Sequence, residues 1–132
     1  MGSQTGHICR ACGNRFAVNS GGGFFFDLLH CDVCGRTRSV RHQDLGDIHL
    51  GFVKGLPGPY AVARAAMDRR IQAEYPGKPI SRDDYHAAAE ATLDPCECGG
   101  RFRYGAPARC PKCRSTSEQW DDDPRAGITH YD

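Results

Sequence analysis

The chain has 132 residues, 39% of them hydrophobic, with sixteen glycines, eight prolines, eight cysteines and a formal net charge of +1. That length allows one small domain or two very small ones, and the apolar share allows only a modest core, so a cross-link or a metal is expected to reinforce it. Near-neutral charge argues against a chain that holds a polyanion by bulk charge, and no apolar run is long enough to span a bilayer.

The start, MGSQTGHIC, has no apolar stretch of the kind that opens a secretory leader, so a cytoplasmic setting is expected. There, reduced thiols favour metal binding over disulfides, and a four-disulfide mini-protein is the less favoured alternative. Charge is unevenly spread. Residues 1–42 carry five basic against two acidic groups, and 96–114 carry five against one. Residues 43–95 carry six against eight, and the tail from 115 carries one against five.

The N-terminal segment, 1–42, holds Cys9, Cys12, Cys31 and Cys34 in the order C-x2-C-x18-C-x2-C, a spacing that suits a four-thiolate zinc site. Two cysteines on a tight turn grip one face of an ion, and a second pair completes the tetrahedron. Between the pairs lies SGGGFFFDLLHC, residues 20–31. Gly21, Gly22 and Gly23 read as a hairpin loop, and Phe24 to His30 as the strand that returns to the second pair. On that strand Phe24, Phe26 and Leu28 share one face, and Phe25, Asp27 and Leu29 share the other. Both faces are greasy, so one of them needs cover from elsewhere in the chain.

Residues 43–57 read as an irregular, glycine-rich connection. From Pro59 a helical period appears, with Tyr60, Ala63, Met67, Ile71 and Tyr75 as its apolar stripe and Arg64, Asp68 and Gln72 on the opposite side. Pro76-Gly77 ends it. A second helix is capped by Ser81, carries Tyr85, Ala88, Ala89 and Leu93 as its stripe, and closes at Pro95. The expected picture is a helical pair, within 43–95, packed on Phe25 and Leu29.

The segment 96–117 holds Cys96, Cys98, Cys110 and Cys113 as C-x1-C-x11-C-x2-C, and its CGGRF repeats the CGNRF of residues 12–16. Glycine after the cysteine admits a positive φ, which lets backbone amides point at sulfur. The tail, 118–132, reads as a solvated acidic extension around Trp120.

CRACGNRF, CDVCG, CECGGRF and CPKC resemble the zinc-ribbon, or rubredoxin-like, superfamily over about residues 7–40 and 94–117. The pair Cys96/Cys98 is one residue short of the usual pattern, and Arg114 stands where a glycine is usual. The resemblance implies a small, metal-stabilised α+β fold: two zinc ribbons, each a β-hairpin with cysteine knuckles, joined by the helical pair. It implies two Zn2+ ions, one per consecutive quartet, and it implies no particular function.

Catalysis is not expected. Four-thiolate sites leave no open metal position, no HExxH is present, and His86 and Glu90 do not have deaminase spacing. His7 and His30, next to cysteine pairs, read as surface or supporting residues. The leading expectation is a zinc-binding adaptor that docks a protein partner. The alternative is a nucleic-acid-binding ribbon protein using Arg36, Arg38 and Arg41 near the first quartet and Arg101, Arg103, Arg109 and Lys112 near the second. An iron-based electron carrier ranks third.

Overall fold

The structure is a computed structural model and describes residues 2–131. Each of the first two cysteine pairs sits at the tip of its own hairpin. Strand β1 (Gly2–Cys9) runs into the Cys9/Cys12 turn and β2 (Arg15–Gly21) leaves it, the two pairing antiparallel from Gly2↔Gly21 to Ile8↔Arg15. Strand β3 (Phe26–Cys31) likewise enters the Cys31/Cys34 turn and β4 (Thr37–Arg41) leaves it. The segment Gly21–Gly23 therefore does not close a β2–β3 hairpin as expected, but carries the chain from one sheet to the other. The reason is local. A C-x2-C turn itself reverses the chain, so the strands on its two sides pair with each other.

The chain's last third returns to both hairpins. Strand β5 (Phe102–Arg103) adds to β3, giving the order β4-β3-β5. Strands β6 (Glu118–Trp120) and β7 (Ile128–Tyr131) both add to the free side of β1. The tail, expected as a solvated extension, is thus part of the first sheet. Its Trp120 stays 60% exposed while its ring lies 5.3 Å from that of His7.

Among the described residues, four α-helices lie between β4 and β5 in the chain. The stretch read as an irregular connection forms α1 (His42–Leu45) and α2 (Asp47–Lys54). Glycine content hid a helical spacing in which Leu45, His49 and Phe52 are all buried. Gly51 is there for contact: a Cβ on it would lie 3.1 Å from the Lys78 carbonyl, and Ile80 donates its N–H to the Gly51 carbonyl. Helix α3 (Ala65–Glu74) follows one 3-10 turn, and α4 (Arg82–Ala91) is capped by Ser81 Oγ, which accepts from the Asp84 N–H at 3.1 Å. Helix α2 packs between α3 and α4.

The core joins Leu29 and Val40 of the second sheet to Leu45, Phe52, Tyr85 and Ala89 of the helices, together with Cys31, Cys96 and Phe102. Phe52 stacks on Tyr85 with ring centroids 4.3 Å apart. Burying such a ring contributes roughly 1.5–3 kcal/mol. Leu29 is covered by the helices, but Phe25 precedes the strand and is 56% exposed.

Helix α3 presents the face opposite to the one its period indicates. Arg64 and Asp68 are buried while Met67 is exposed. The inversion is stabilised by saturated hydrogen bonding, as buried charges require. Asp68 accepts from Arg64 Nε at 3.0 Å and from the Tyr60 N–H at 2.9 Å, and Gln72 Nε2 donates to the carbonyls of Val53 and Gly58.

Candidate metal centres and a buried polar network

The eight cysteines gather into two quartets, but not the consecutive ones. Cys9 and Cys12 meet Cys110 and Cys113, while Cys31 and Cys34 meet Cys96 and Cys98. The quartets expected within 1–42 and within 96–117 are therefore not those that form. The spacing of each pair fits a tetrahedral half-site, but it does not specify which half-sites meet. The hairpin at each N-terminal knuckle decides it, because it sends the two knuckles into different sheets.

Within each quartet all four sulfurs lie within 4.8 Å of one another. Across the paired knuckles the sulfurs are 3.5 Å apart for Cys9–Cys113, 3.7 Å for Cys12–Cys110, 3.4 Å for Cys31–Cys98 and 3.7 Å for Cys34–Cys96. A disulfide needs about 2.05 Å. A tetrahedron with metal–sulfur bonds of about 2.3 Å has edges of about 3.8 Å. The donor set and its size fit a metal ion.

The four knuckles share one backbone pattern. The Cys9, Cys31 and Cys110 N–H groups donate to the carbonyls five residues on, of Asn14, Arg36 and Ser115. Their own carbonyls accept from Gly13, Gly35 and Arg114. The third knuckle does the same one residue shorter, with Cys96 N–H to Gly100 and Gly99 N–H to Cys96. Gly13, Gly35 and Gly99 take φ of 76°, 76° and 91°, as the glycine-after-cysteine pattern anticipates. Arg114, standing where a glycine is usual, adopts φ 65° regardless. Amides point at sulfur as well: Val33 N–H reaches Cys31 and Lys112 N–H reaches Cys110, each at 3.4 Å.

These donors favour thiolate. The Gly100 N–H pulls Cys98 down to about 7, and at Cys110 the Cys113 and Lys112 N–H groups overcome burial to bring it to about 6. Burial, with hydrogen bonding among Cys98, Cys31 and Cys96 alongside, pushes Cys34 up to about 12, so a cation must displace its proton to recruit it. His7 and His30 belong to neither quartet. His7 Nδ1 is bonded to Glu118 and its Nε2 to Thr5, while His30 Nε2 donates to the Asn19 carbonyl.

Several of the arginines singled out from sequence are engaged with carboxylates. Arg36 pairs with Glu97 at 3.2 Å, Arg41 with Asp44 at 2.9 Å, and Arg103 with Glu90 at 3.1 Å. Arg38 lies over the Phe102 ring, and Arg109 donates to the Arg114 carbonyl. Arg101 and Lys112 are exposed.

A second constellation was not anticipated from sequence. Asp27, in the middle of the greasiest segment, is 7% exposed. Its Oδ1 accepts from His42 Nε2 at 2.9 Å and from Tyr60 Oη at 3.5 Å, and its Oδ2 from Tyr85 Oη at 2.5 Å and Tyr104 Oη at 2.8 Å. Burial alone would raise its pKa, but the bonds from His42, Tyr85 and Tyr104 hold it down at about 2. Burial, with Asp27 alongside, raises the three phenols, Tyr60 to about 12 and the other two further, so all keep their protons. On the far side of His42, Arg64 donates to His42 Nδ1 at 2.8 Å, to His49 Nε2 at 3.1 Å and to the Phe24 carbonyl at 2.8 Å. Both imidazoles accept from a donor-only guanidinium and are therefore neutral here. Burial above all pushes His49 down to about 3. The available signal was Asp27 itself, a charge inside FFFDLL.

Fold and sites together define a small α+β protein with two interleaved four-cysteine clusters able to hold metal. Residues 6–119 match the model of a family described as Domain of unknown function (DUF8255), and the chain belongs to that family. No curated protein and no solved structure matches it. Among the described residues, no helix is long and apolar enough to cross a membrane.

Proposed function

We propose that this chain is a zinc-stabilised, non-enzymatic adaptor that docks a protein partner in an apolar groove. The groove, of about 640 Å³, carries the reading; Phe25, Phe26, Leu50, Met67 and Ile71 wall it. Phe25 and Met67 are 56% and 45% exposed. Arg41 and Arg64 also line it, each already paired with a carboxylate, Asp44 and Asp68, so the groove recognises its partner through apolar contact. Zinc is the expected ion because all-thiolate tetrahedra are its structural sites, and a closed shell of four leaves no position for a substrate. The carboxylate pairing of Arg36, Arg41 and Arg103 weighs against the nucleic-acid reading.

The test is affinity purification of the full chain with nuclease treatment, comparing wild type, Met67→Asp, and the triple variant Arg36→Ala, Arg38→Ala, Arg101→Ala. A partner lost with Met67→Asp and kept by the triple variant and by nuclease supports the adaptor. Recovery of nucleic acid that the triple variant abolishes, with Met67→Asp unaffected, favours the alternative.

A further inference from the structure

A cavity of about 560 Å³ opens over the Asp27 network, and it shares no lining residue with the apolar groove. Phe52, Tyr60, Tyr85, His86 and Tyr104 supply its aromatic lining, with Asp27 among them. His86 and Tyr104 stack face to face at 3.9 Å, and Tyr85 stacks on Phe52 at 4.3 Å. The walls are therefore fixed rings, a preorganised surface of the kind that small-molecule sites use.

The floor has an unusual polarity. A phenol has one proton to donate and two lone pairs. Tyr60, Tyr85 and Tyr104 all direct that proton at Asp27; Tyr85 is buried and its oxygen already accepts from His49 Nδ1, so what the half-buried Tyr60 and Tyr104 oxygens can still offer is acceptor capacity. His30, also lining the cavity, has given its Nε2 proton to the Asn19 carbonyl. A ligand reaching this floor must donate.

Charge points the same way. The buried network holds two carboxylates, Asp27 and Asp68, against one guanidinium, Arg64, with His42 and His49 neutral. One negative charge is left without a buried counterion, beneath aromatic faces that themselves favour cations. Arg82 is the cation among the lining residues, and it stands exposed at the start of α4, where solvent screens it.

We propose that this cavity is a binding site for a small organic cation, a ligand that presents an ammonium group to the Tyr60 and Tyr104 oxygens above Asp27 and packs its apolar part on the surrounding rings. The buried polar network then has a role beyond holding α2, α3 and α4 on the second sheet. It supplies the charge that selects the ligand. The inference does not rest on the adaptor reading, because the two surfaces are separate.

The experiment uses the full metal-loaded chain and three probes of similar size, benzylammonium, benzyl alcohol and benzoate, titrated by NMR chemical-shift mapping. Benzylammonium should bind at least ten-fold more tightly than the other two, with shifts at Tyr85, His86 and Tyr104. Asp27→Asn should remove that preference. Because this variant removes a buried hub and could fail to fold, Ala106→Trp, on the loop lining the cavity, provides an independent arm and should abolish binding. Benzoate or benzyl alcohol binding as well as benzylammonium would overturn the proposal. So would silence from all three probes at 10 mM-scale concentrations (on the order of the weakest useful affinity), or benzylammonium binding that Ala106→Trp leaves intact.

Discussion

The two thiolate quartets use the same knuckle, yet they sit in different surroundings. In the second, Cys31 and Cys96 are members of the hydrophobic core, and Cys34 and Cys98 pack against it. In the first, Cys12 and Cys113 are exposed, and the quartet ties the β1–β2 turn to the segment that leads into β6. The repeat CGNRF/CGGRF records the difference in one residue. A Cβ at Gly100 would lie 2.6 Å from Cys31 Sγ, so only glycine lets the core quartet close. Its counterpart Asn14 has room for a side chain, and its Nδ2 donates to Cys110 Sγ at 3.6 Å. The core quartet is thus built on packing, and the peripheral one relies more on side-chain donors. One cluster organises the fold, and the other fastens the sheet that the chain ends share.

The largest expected effect follows from that contrast. Structural zinc contributes an apparent 10–16 kcal/mol or so in small metal-folded peptides, against a net domain stability of about 5–15 kcal/mol. Cys31→Ser should therefore collapse the whole fold, abolishing the near-UV circular dichroism of the buried tyrosines. Cys110→Ser should instead release β6 and β7 while the tyrosine signal survives. Trp120, the only tryptophan, lies on β6 and reports the release by fluorescence. If the two variants melt alike on both probes, the quartets are not the unequal pair described here.

A smaller effect separates the helical side from the sheet side. Asp27 holds β3 to α1 and α4 through His42 and Tyr85, and its pKa is lowered to about 2 from an ordinary 3.8. A depressed carboxylate contributes stability that is present above the unfolded pKa and lost as pH falls through the folded one. The contribution corresponds to about 2 kcal/mol. Chemical denaturation should show it shed between roughly pH 4 and pH 2. In Asp27→Asn that step should be absent and stability at neutral pH lower by at least as much. An unchanged acid limb in the variant would contradict the network's role.

The smallest effect belongs to the peripheral quartet alone. Arg114 holds φ 65° where the equivalent positions of the other knuckles are glycine. A left-handed conformation costs a side-chain-bearing residue about 1–2 kcal/mol, partly offset by glycine's greater freedom when unfolded. Arg114→Gly should raise stability by about 0.5–1 kcal/mol and slow metal loss from the first quartet without changing the second. A destabilised variant would mean that the Arg114 side chain contributes more than its backbone costs.

Local chemistry was legible in the sequence wherever it depended on neighbours a few residues apart. The C-x2-C pairs and their glycines fixed the knuckles, down to the shortened third one. Ser81 fixed the start of α4, and the Tyr85/Ala89 spacing fixed its buried face. Which knuckles meet was not legible, because identical half-sites carry no label and only the hairpins' separation into two sheets assigns them. The inward face of α3 was hidden for a related reason. Arg64 and Asp68 read as solvated until His42, His49, Phe24 and Tyr60, brought from elsewhere in the chain, satisfy them. Asp27 shows the limit most clearly. Sequence places a charge in an apolar strand, but only the folded chain supplies the four donors that allow it to stay buried there.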